Sequence, residues 1–422
     1  MLTALILFLA TYAALLAFSK FRTYIALGSA ALFVILGILP VEKVLPAVDW
    51  NVIMMIAGTM GIVYLFIESK MPSLMADVII HKMPSVKWII IALSLFAGII
   101  SAFVDNVATV LMVAPVALVV AKKLEISPVP AIIAIAISSN LQGAATLVGD
   151  TTSILLGGYA GMDFLDFFVY QGRAGLFWVV QAGAILSAIT LTIVFRHYSQ
   201  RVNLTERTVV TDYFPTWLLM GTVLLLIMAS FIPDKPSITN GMICMGLMVI
   251  GVVRESLRCG KFKDTCVQTF KEIDWYTLLL LAGLFVVIAG ITEAGVVDEI
   301  AKLFVTISGG NLFAIYSLLV WASVVFSAFI DNIPYVATML PVTAGIAKLM
   351  GVDPTILYFG LLCGATLGGN LTPIGASANI TALGILRKNG YEPSSWDFMK
   401  ISIPFTLTAV ISGYVLVWLI WM

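Results

Sequence analysis

Ser101–Val116 reads SAFVDNVATVLMVAPV, and Ser327–Val342 reads SAFIDNIPYVATMLPV. Eight of the sixteen positions are identical at an offset of 226, including Ser-Ala-Phe, Asp-Asn and the closing Pro-Val. Each stretch is apolar apart from its central Asp-Asn. A carboxylate inside a membrane-length apolar run is costly, so it reads as functional. Its recurrence in two halves points to an internally duplicated transporter with its site between them.

Composition agrees. Of 422 residues, 61% are hydrophobic and 11% charged, against about 25% charged in soluble domains. The expected fold is therefore an all-α polytopic membrane protein. Zero formal net charge gives no footprint for nucleic acid. The opening MLTALILFLATYAALLAF has neither a basic leader nor a small-residue cleavage site, so it reads as a retained first span. Cys244, Cys259, Cys266 and Cys363 show no metal spacing and read as structural or incidental thiols. No nucleophile–base pair, metal motif or nucleotide loop is visible, so neither an enzyme nor a cofactor is expected.

Spans are expected near 2–18, 23–40 and 50–68, then a hairpin over 86–121, a broken span over 129–160 and a span over 173–195. Residues 1–200 form the first repeat and 201–214 a cytoplasmic linker. Residues 215–422 repeat the plan, with spans at 215–232, 239–253 and 275–292, a hairpin over 312–348, a broken span over 355–387 and a span over 403–421. The hairpins have their polar turn mid-run. They fit a re-entrant excursion, whose tip is tolerated where it lines a protein cavity. With both termini outside, 18 of the 23 Lys and Arg residues fall in inside loops, the positive-inside bias. Five crossings per half then make the second repeat inverted relative to the first, with the hairpin tips approaching near the midplane. Val48–Met71 and Ile273–Val296 match at an offset of 225. Each begins Asp-Trp, which reads as an N-cap and an interfacial anchor.

The tips Asp105-Asn106 and Asp331-Asn332 suit two compatible roles. They cap the returning helices, and they line an ion site where half-helix N-termini present free N–H groups. Leu141–Gly158 (LQGAATLVGDTTSILLGG) and Leu367–Gly384 (LGGNLTPIGASANITALG) interrupt the broken spans. At offset 226, Thr146 pairs with Thr372, Gly149 with Gly375 and Ser153 with Asn379, while Asp150 faces Ala376. Breaks of this kind turn carbonyls and N–H groups into a common space; close packing of small residues is the competing explanation. No Lys, Arg or His lies in the assigned spans near these motifs. The core charges are therefore read as all acidic, with Asp105 and Asp331 as proton carriers, since burial in apolar surroundings favours the neutral carboxyl. Na⁺ at Asp105, Asn106, Asp331 and Asn332 is the alternative. Glu68 and Glu293 read as solvated span ends.

At these motifs the chain resembles the ion transporter superfamily, closest to the branch of arsenite-efflux permeases, the P protein and Na⁺/H⁺ antiporters with a citrate-transporter-like domain. SAFVDNVATVLMVAPV resembles that branch's hairpin and GGNLTPIGASANI its second broken helix. The resemblance implies two inverted repeats, each with scaffold and transport parts, homodimers, and elevator-type movement. Carried over by motif, the site residues are Asp105, Asn106, Thr109, Gly149, Asp150, Thr151, Thr152, Ser153, Asp331, Asn332, Thr372, Gly375, Ala376, Ser377 and Asn379. The first break departs from the Gly-Asp-Pro-Pro-Asn of P-protein-like members, and the tips from the Ser-Asn-Thr of dicarboxylate carriers. The expected activity is H⁺- or Na⁺-coupled movement of a small anion or oxyanion, arsenite-like or carboxylate, across a prokaryotic inner membrane. A Na⁺/H⁺ antiporter without organic substrate and an anion channel are the alternatives.

Overall fold

A computed structural model describes residues 1–198, 200, 208–210, 212–260 and 262–422. Much of the expected linker, 201–207 and 211, lies outside the described residues, as do Arg201, Arg207 and Lys261 from the charge argument. The described chain is almost entirely helical. The first half contains α1 Leu2–Ala17, α2 Arg22–Ile35, the short α3 Val44–Ala47, α4 Trp50–Glu68 and α5 Met71–Ile80. It continues with α6 Val86–Ser101, α7 Asn106–Lys123, α8 Val129–Gly143, α9 Thr151–Ala160 and α10 Leu176–Val194. The second half holds α11 Phe214–Ala229, α12 Thr239–Cys259, α13 Phe262–Glu272, α14 Trp275–Glu293 and α15 Val296–Ile307. It ends with α16 Leu312–Ser327, α17 Asn332–Met350, α18 Thr355–Gly368, α19 Ser377–Lys388 and α20 Ser395–Trp421. A two-stranded antiparallel ribbon pairs Val169–Tyr170 with Arg173–Ala174.

Both Asp-Trp starts fold alike. Asp49 accepts from the Val52 N–H (3.0 Å) and Asp274 from the Thr277 N–H (3.1 Å). The Trp50 and Trp275 indoles donate back to Leu45 O and Phe270 O. Glu68 is exposed, and Glu293 meets Lys43 at an exposed ion pair. The expected hairpins are α6–α7 and α16–α17, each turning over four residues, and the broken spans are α8–α9 and α18–α19.

Three helices were not expected. α5, α13 and α15 have 10, 11 and 12 residues, or roughly 15–18 Å at 1.5 Å per residue. That is half a bilayer core of ~30 Å, so a search for membrane-length runs passes over them. Among the described residues seven helices are long and apolar enough to cross alone: α4, α7, α10, α12, α14, α17 and α20. Two of these, α7 and α17, are the second arms of the expected hairpins and not expected crossings; the remaining expected crossings fall on shorter helices, α1, α2 and α11 (16, 14 and 16 residues), and on the two interrupted pairs.

The centre is built on α8 and α18. All of α18, and all of α8 beyond its first residue, is buried. Their polar residues, Ser138, Ser139, Asn140, Gln142, Thr355 and Thr366, are buried with the rest, which suits helices enclosed by other protein rather than facing lipid. Around this centre α6 packs on α8, α16 on α18, and α10 on α20. To one side α2 packs on α14 and α12 on α4, so each half lends a helix to the other. Glycine permits both close approaches. A Cβ on Gly58 would lie 2.5 Å from the Cys244 backbone, and one on Gly283 would lie 2.9 Å from the Ala26 backbone.

Where the linker enters α11, Asp212 is buried and accepts from the Phe214 N–H, and it pairs with Arg254 and Arg258. Burial pushes its carboxyl up, but the Arg254 hydrogen bond, the Phe214 N–H and the two guanidinium charges outweigh it. The group is held below its ordinary range. Asp212→Asn should therefore lower stability by about 1–2 kcal/mol at neutral pH. Thermal unfolding in detergent would show this difference unchanged down to the unfolded carboxylate value of about 3.9. It should then close as pH falls through the lower folded value.

Candidate functional site

The hairpin corners lean on the helix breaks, and several contacts in that joint occur twice. Asp105 caps α7 by accepting from the N–H groups of Val107 (3.0 Å) and Ala108 (3.2 Å). Asp331 caps α17 by accepting from Ile333 N–H (3.2 Å). The Thr146 hydroxyl donates to Ala102 O at the first corner, and Thr372 donates to Ala328 O at the second. Ser153 donates to Gly143 O (3.3 Å), and the Asn379 amide to Gly369 O (3.1 Å). Apart from the Ala108 N–H, whose counterpart Pro334 has no N–H to give, these contacts are related by the offset of 226.

Gly149 and Gly375 sit at the tightest point. A Cβ on Gly149 would lie 2.6 Å from Gly143 O and 2.7 Å from Ser101 O. One on Gly375 would lie 2.6 Å from Gly369 O and 2.8 Å from both Ser327 O and Ala328 O. These obstacles are backbone carbonyls and cannot rotate away. Gly149→Ala and Gly375→Ala should each cost about 1–3 kcal/mol through overpacking. The check is thermal unfolding against Gly384→Ala, where the space is open.

Behind the corners lies a buried amide chain. Asn106 Nδ2 donates to Asn140 Oδ1 (2.7 Å). Asn140 Nδ2 then donates to Asn370 Oδ1 (2.7 Å) and Asn379 Oδ1 (3.0 Å). Asn370 donates to Ile137 O (2.9 Å), and Asn379 also donates to Thr372 O (3.0 Å). Asn140, Asn370 and Asn379 are fully buried. One hydrogen-bonded chain thus joins a first-half tip to the second-half break. Asn140 and Asn370 were absent from the sequence-based residue set, although an amide in an apolar run was a visible signal.

A cavity of about 250 Å³ opens among these elements. Its wall includes Asp105 and Asn106 of the first tip, Asp150 and Thr151 of the first break, Asn332 of the second tip and Ser377 of the second break. Tyr64 of α4, Glu272 at the end of α13, and Asp274 and Thr277 at the start of α14 complete its polar lining. Asp150 is 3% exposed and accepts from the Thr152 hydroxyl (2.8 Å). Asn332 is 3% exposed, and among the described residues its Nδ2 has no hydrogen-bond partner. Thr109, Gly149, Thr152, Ser153, Thr372, Gly375, Ala376 and Asn379 stand behind this wall and brace it. A larger cavity, about 1,070 Å³, lies by Asp49 and the 230–240 loop. It is lined in part by Leu155, Gly157, Gly158, Ala337, Leu340 and Pro341 of the repeated motifs, but by none of the candidate site residues.

One expectation is corrected here. The core is not all acidic: Arg22, at the first turn of α2, reaches Asp331 with Nη1 to Oδ2 at 3.0 Å. Both side chains are largely buried, at 19% and 8% exposure. Asp331 Oδ2 also accepts from the Ser377 hydroxyl (3.0 Å). The two tip carboxylates are therefore unlike. Among the described residues no basic side chain pairs with Asp105 or Asp150.

The citrate transporter family model matches residues 12–364. The chain belongs to the citrate transporter family. This citrate transporter family member is 32% identical over 428 residues to the 46 kDa membrane protein of Mycobacterium leprae, covering 99% of this chain and 98% of that protein. It is 31% identical over 434 residues to an uncharacterized transporter of Mycobacterium tuberculosis, covering 99% and 97%. The P protein of Mus musculus is 27% identical over 472 residues, which span 92% of this chain and 56% of that protein. The fold is shared with the YdaH transporter of Alcanivorax borkumensis, at a TM-score of 0.62, 15% identity, and 94% and 96% coverage. The protein is a membrane transporter.

Proposed function

We propose that this transporter is a secondary carrier of a small carboxylate or oxyanion, moved together with Na⁺ or H⁺. The observation that carries this is the make-up of the 250 Å³ cavity, whose wall combines both hairpin tips and both helix breaks. Its volume is below the roughly 300–1,000 Å³ of sites for drug-sized ligands, so the cargo is small. Asp105, Asp150, Glu272 and Asp274 surround it, and a bare anion would be repelled. The free Asn332 amide and the α9 and α19 N-termini favour an anion once cations are present. Cations therefore bind first and the anion follows.

The amide chain and the doubled corner contacts support treating α6–α9 and α16–α19 as one moving body. The α2–α14 and α4–α12 pairs then form the frame it moves against. We place both termini outside, so that the cavity at the Asp274 end of α14 faces the inside. The carboxylate-rich wall also favours a second reading, Na⁺/H⁺ exchange with no organic cargo. Proteoliposomes holding a pH-sensitive dye decide between them. Proton flux under a Na⁺ gradient alone supports exchange. Flux that requires added citrate, succinate, arsenite or sulfate supports the carrier and names its cargo. Passive, non-saturating anion conductance would refute both.

A further inference from the structure

We propose that Arg22 is a built-in counter-cation for Asp331, and that a transported cation takes this carboxylate only by displacing the guanidinium. This rests on the cation-coupled reading above and adds to it the residue that competes with the ion. The second hairpin is fastened to the first two helices at two points. Arg22 of α2 pairs with Asp331 at the tip, and one turn beyond, the Tyr12 hydroxyl of α1 donates to Pro334 O (2.7 Å) and meets Thr338. The helix carrying Arg22 is in turn locked to α14, where Gly283 admits the Ala26 backbone. The ion pair therefore ties an element of the frame to a tip of the moving body.

Asp331 stands one hydrogen bond behind the cavity wall, because Ser377 both lines the cavity and donates to Asp331 Oδ2. Among the described residues, the equivalent carboxylate Asp105 faces the cavity with only backbone N–H hydrogen-bond partners. With the cavity empty, Arg22 neutralises the one tip carboxylate that reaches the frame. A Na⁺ or H⁺ arriving at Asp331 releases Arg22, and that release frees the second tip from α2. Loading thereby removes the tie to α2, and the Tyr12 tie to α1 stays in place. Arg22 is a positioning residue in this scheme, and it does not touch the cargo. The other charged or titratable groups facing this region are Tyr64, Asp105, Asp150, Glu272, Asp274, Tyr12 and Tyr335.

The test is the unfolding temperature of the full purified chain in detergent, titrated with Na⁺ against choline, and separately with pH in choline. A cation that binds the folded state raises this temperature with a measurable half-effect concentration. A competitor lowers apparent affinity by the fraction of sites it occupies, so Arg22→Gln should move the half-effect to about tenfold lower Na⁺, or about one pH unit higher. Arg22→Gln/Asp331→Asn, which leaves no orphaned charge, should lose this shift. If Arg22→Gln does not purify folded, Arg22→Lys should give a shift of about threefold in the same direction, since a point charge holds the carboxylate less well than the fork. A half-effect that stays put or moves to higher cation in Arg22→Gln, or in Arg22→Lys where only that variant folds, overturns the counter-cation role and leaves the coupled-carrier reading intact. A wild-type protein indifferent to both Na⁺ and pH overturns both.

Discussion

Asp105→Asn should reduce Na⁺- or H⁺-driven transport by on the order of a hundredfold, within the 5–150-fold span of typical coupling energies, while the protein stays folded. The side chain does two things: it accepts from the Val107 and Ala108 N–H groups, and it presents charge to the cavity. Asparagine retains a cap oxygen of comparable strength and loses only the charge. Asp150→Asn should behave alike, because the Thr152 hydroxyl can still donate to its amide oxygen. Asp331→Asn should differ in kind. It leaves Arg22 largely buried without its carboxylate, and removing one member of a buried pair destabilises far more than removing a cap charge. Flux in proteoliposomes and unfolding temperature, measured side by side, separate these cases. Full Na⁺- and pH-dependent flux in Asp105→Asn/Asp150→Asn would exclude the two cavity carboxylates from coupling.

Asn140→Leu should be among the most destabilising single substitutions in the chain. Leucine is close in size, so packing changes little. What changes is that Asn106 Nδ2, Asn370 Oδ1 and Asn379 Oδ1 all lose their partner in a buried site. At about 1–3 kcal/mol for each of the three orphaned groups, the loss is about 3–9 kcal/mol. Asn140→Gln keeps the amide but misplaces it and should fall between. Unfolding midpoints in detergent, with limited proteolysis of the 144–150 and 369–376 breaks, would report the effect. A leucine variant as stable as the wild type would mean that the amide chain does not hold the two halves together.

What could be read from the sequence was local. Asp49 and Asp274 are followed at once by Trp and an apolar run, so their caps were evident, and both formed. The tips and breaks were legible because glycine, proline and small polar residues interrupt runs that should otherwise be continuous. The paired joints were legible from the offset of 226, since Thr146 and Thr372 make the same bond. The same device concealed Asn140. Its counterpart by offset is Thr366, and that of Asn370 is Ala144, so a search for matched residues discards both. Arg22 was hidden by distance. It is 309 residues from Asp331, and read locally it is one more loop charge beside Lys20. Only the packing of α2 across the two halves carries it to the tip. The three short helices were missed for want of length, because 10–12 residues do not announce themselves in a chain scanned for membrane spans.

The bond between Asn140 and Asn379 spans 239 residues. At translation speeds of about 5–20 residues per second, roughly 10–50 s pass between synthesis of the two partners. During that interval the nascent first half holds a carboxamide in the bilayer with no second-half group to satisfy it. Newly made N-terminal halves are therefore an unfinished product: Asn140, near the end of α8, cannot reach its final partners until Asn370 and α19 have been inserted. Quality control by a membrane protease or an insertase has a defined target in that window. A chain truncated after α10 should be degraded even though its helices α4, α7 and α10 are long and apolar enough to cross on their own.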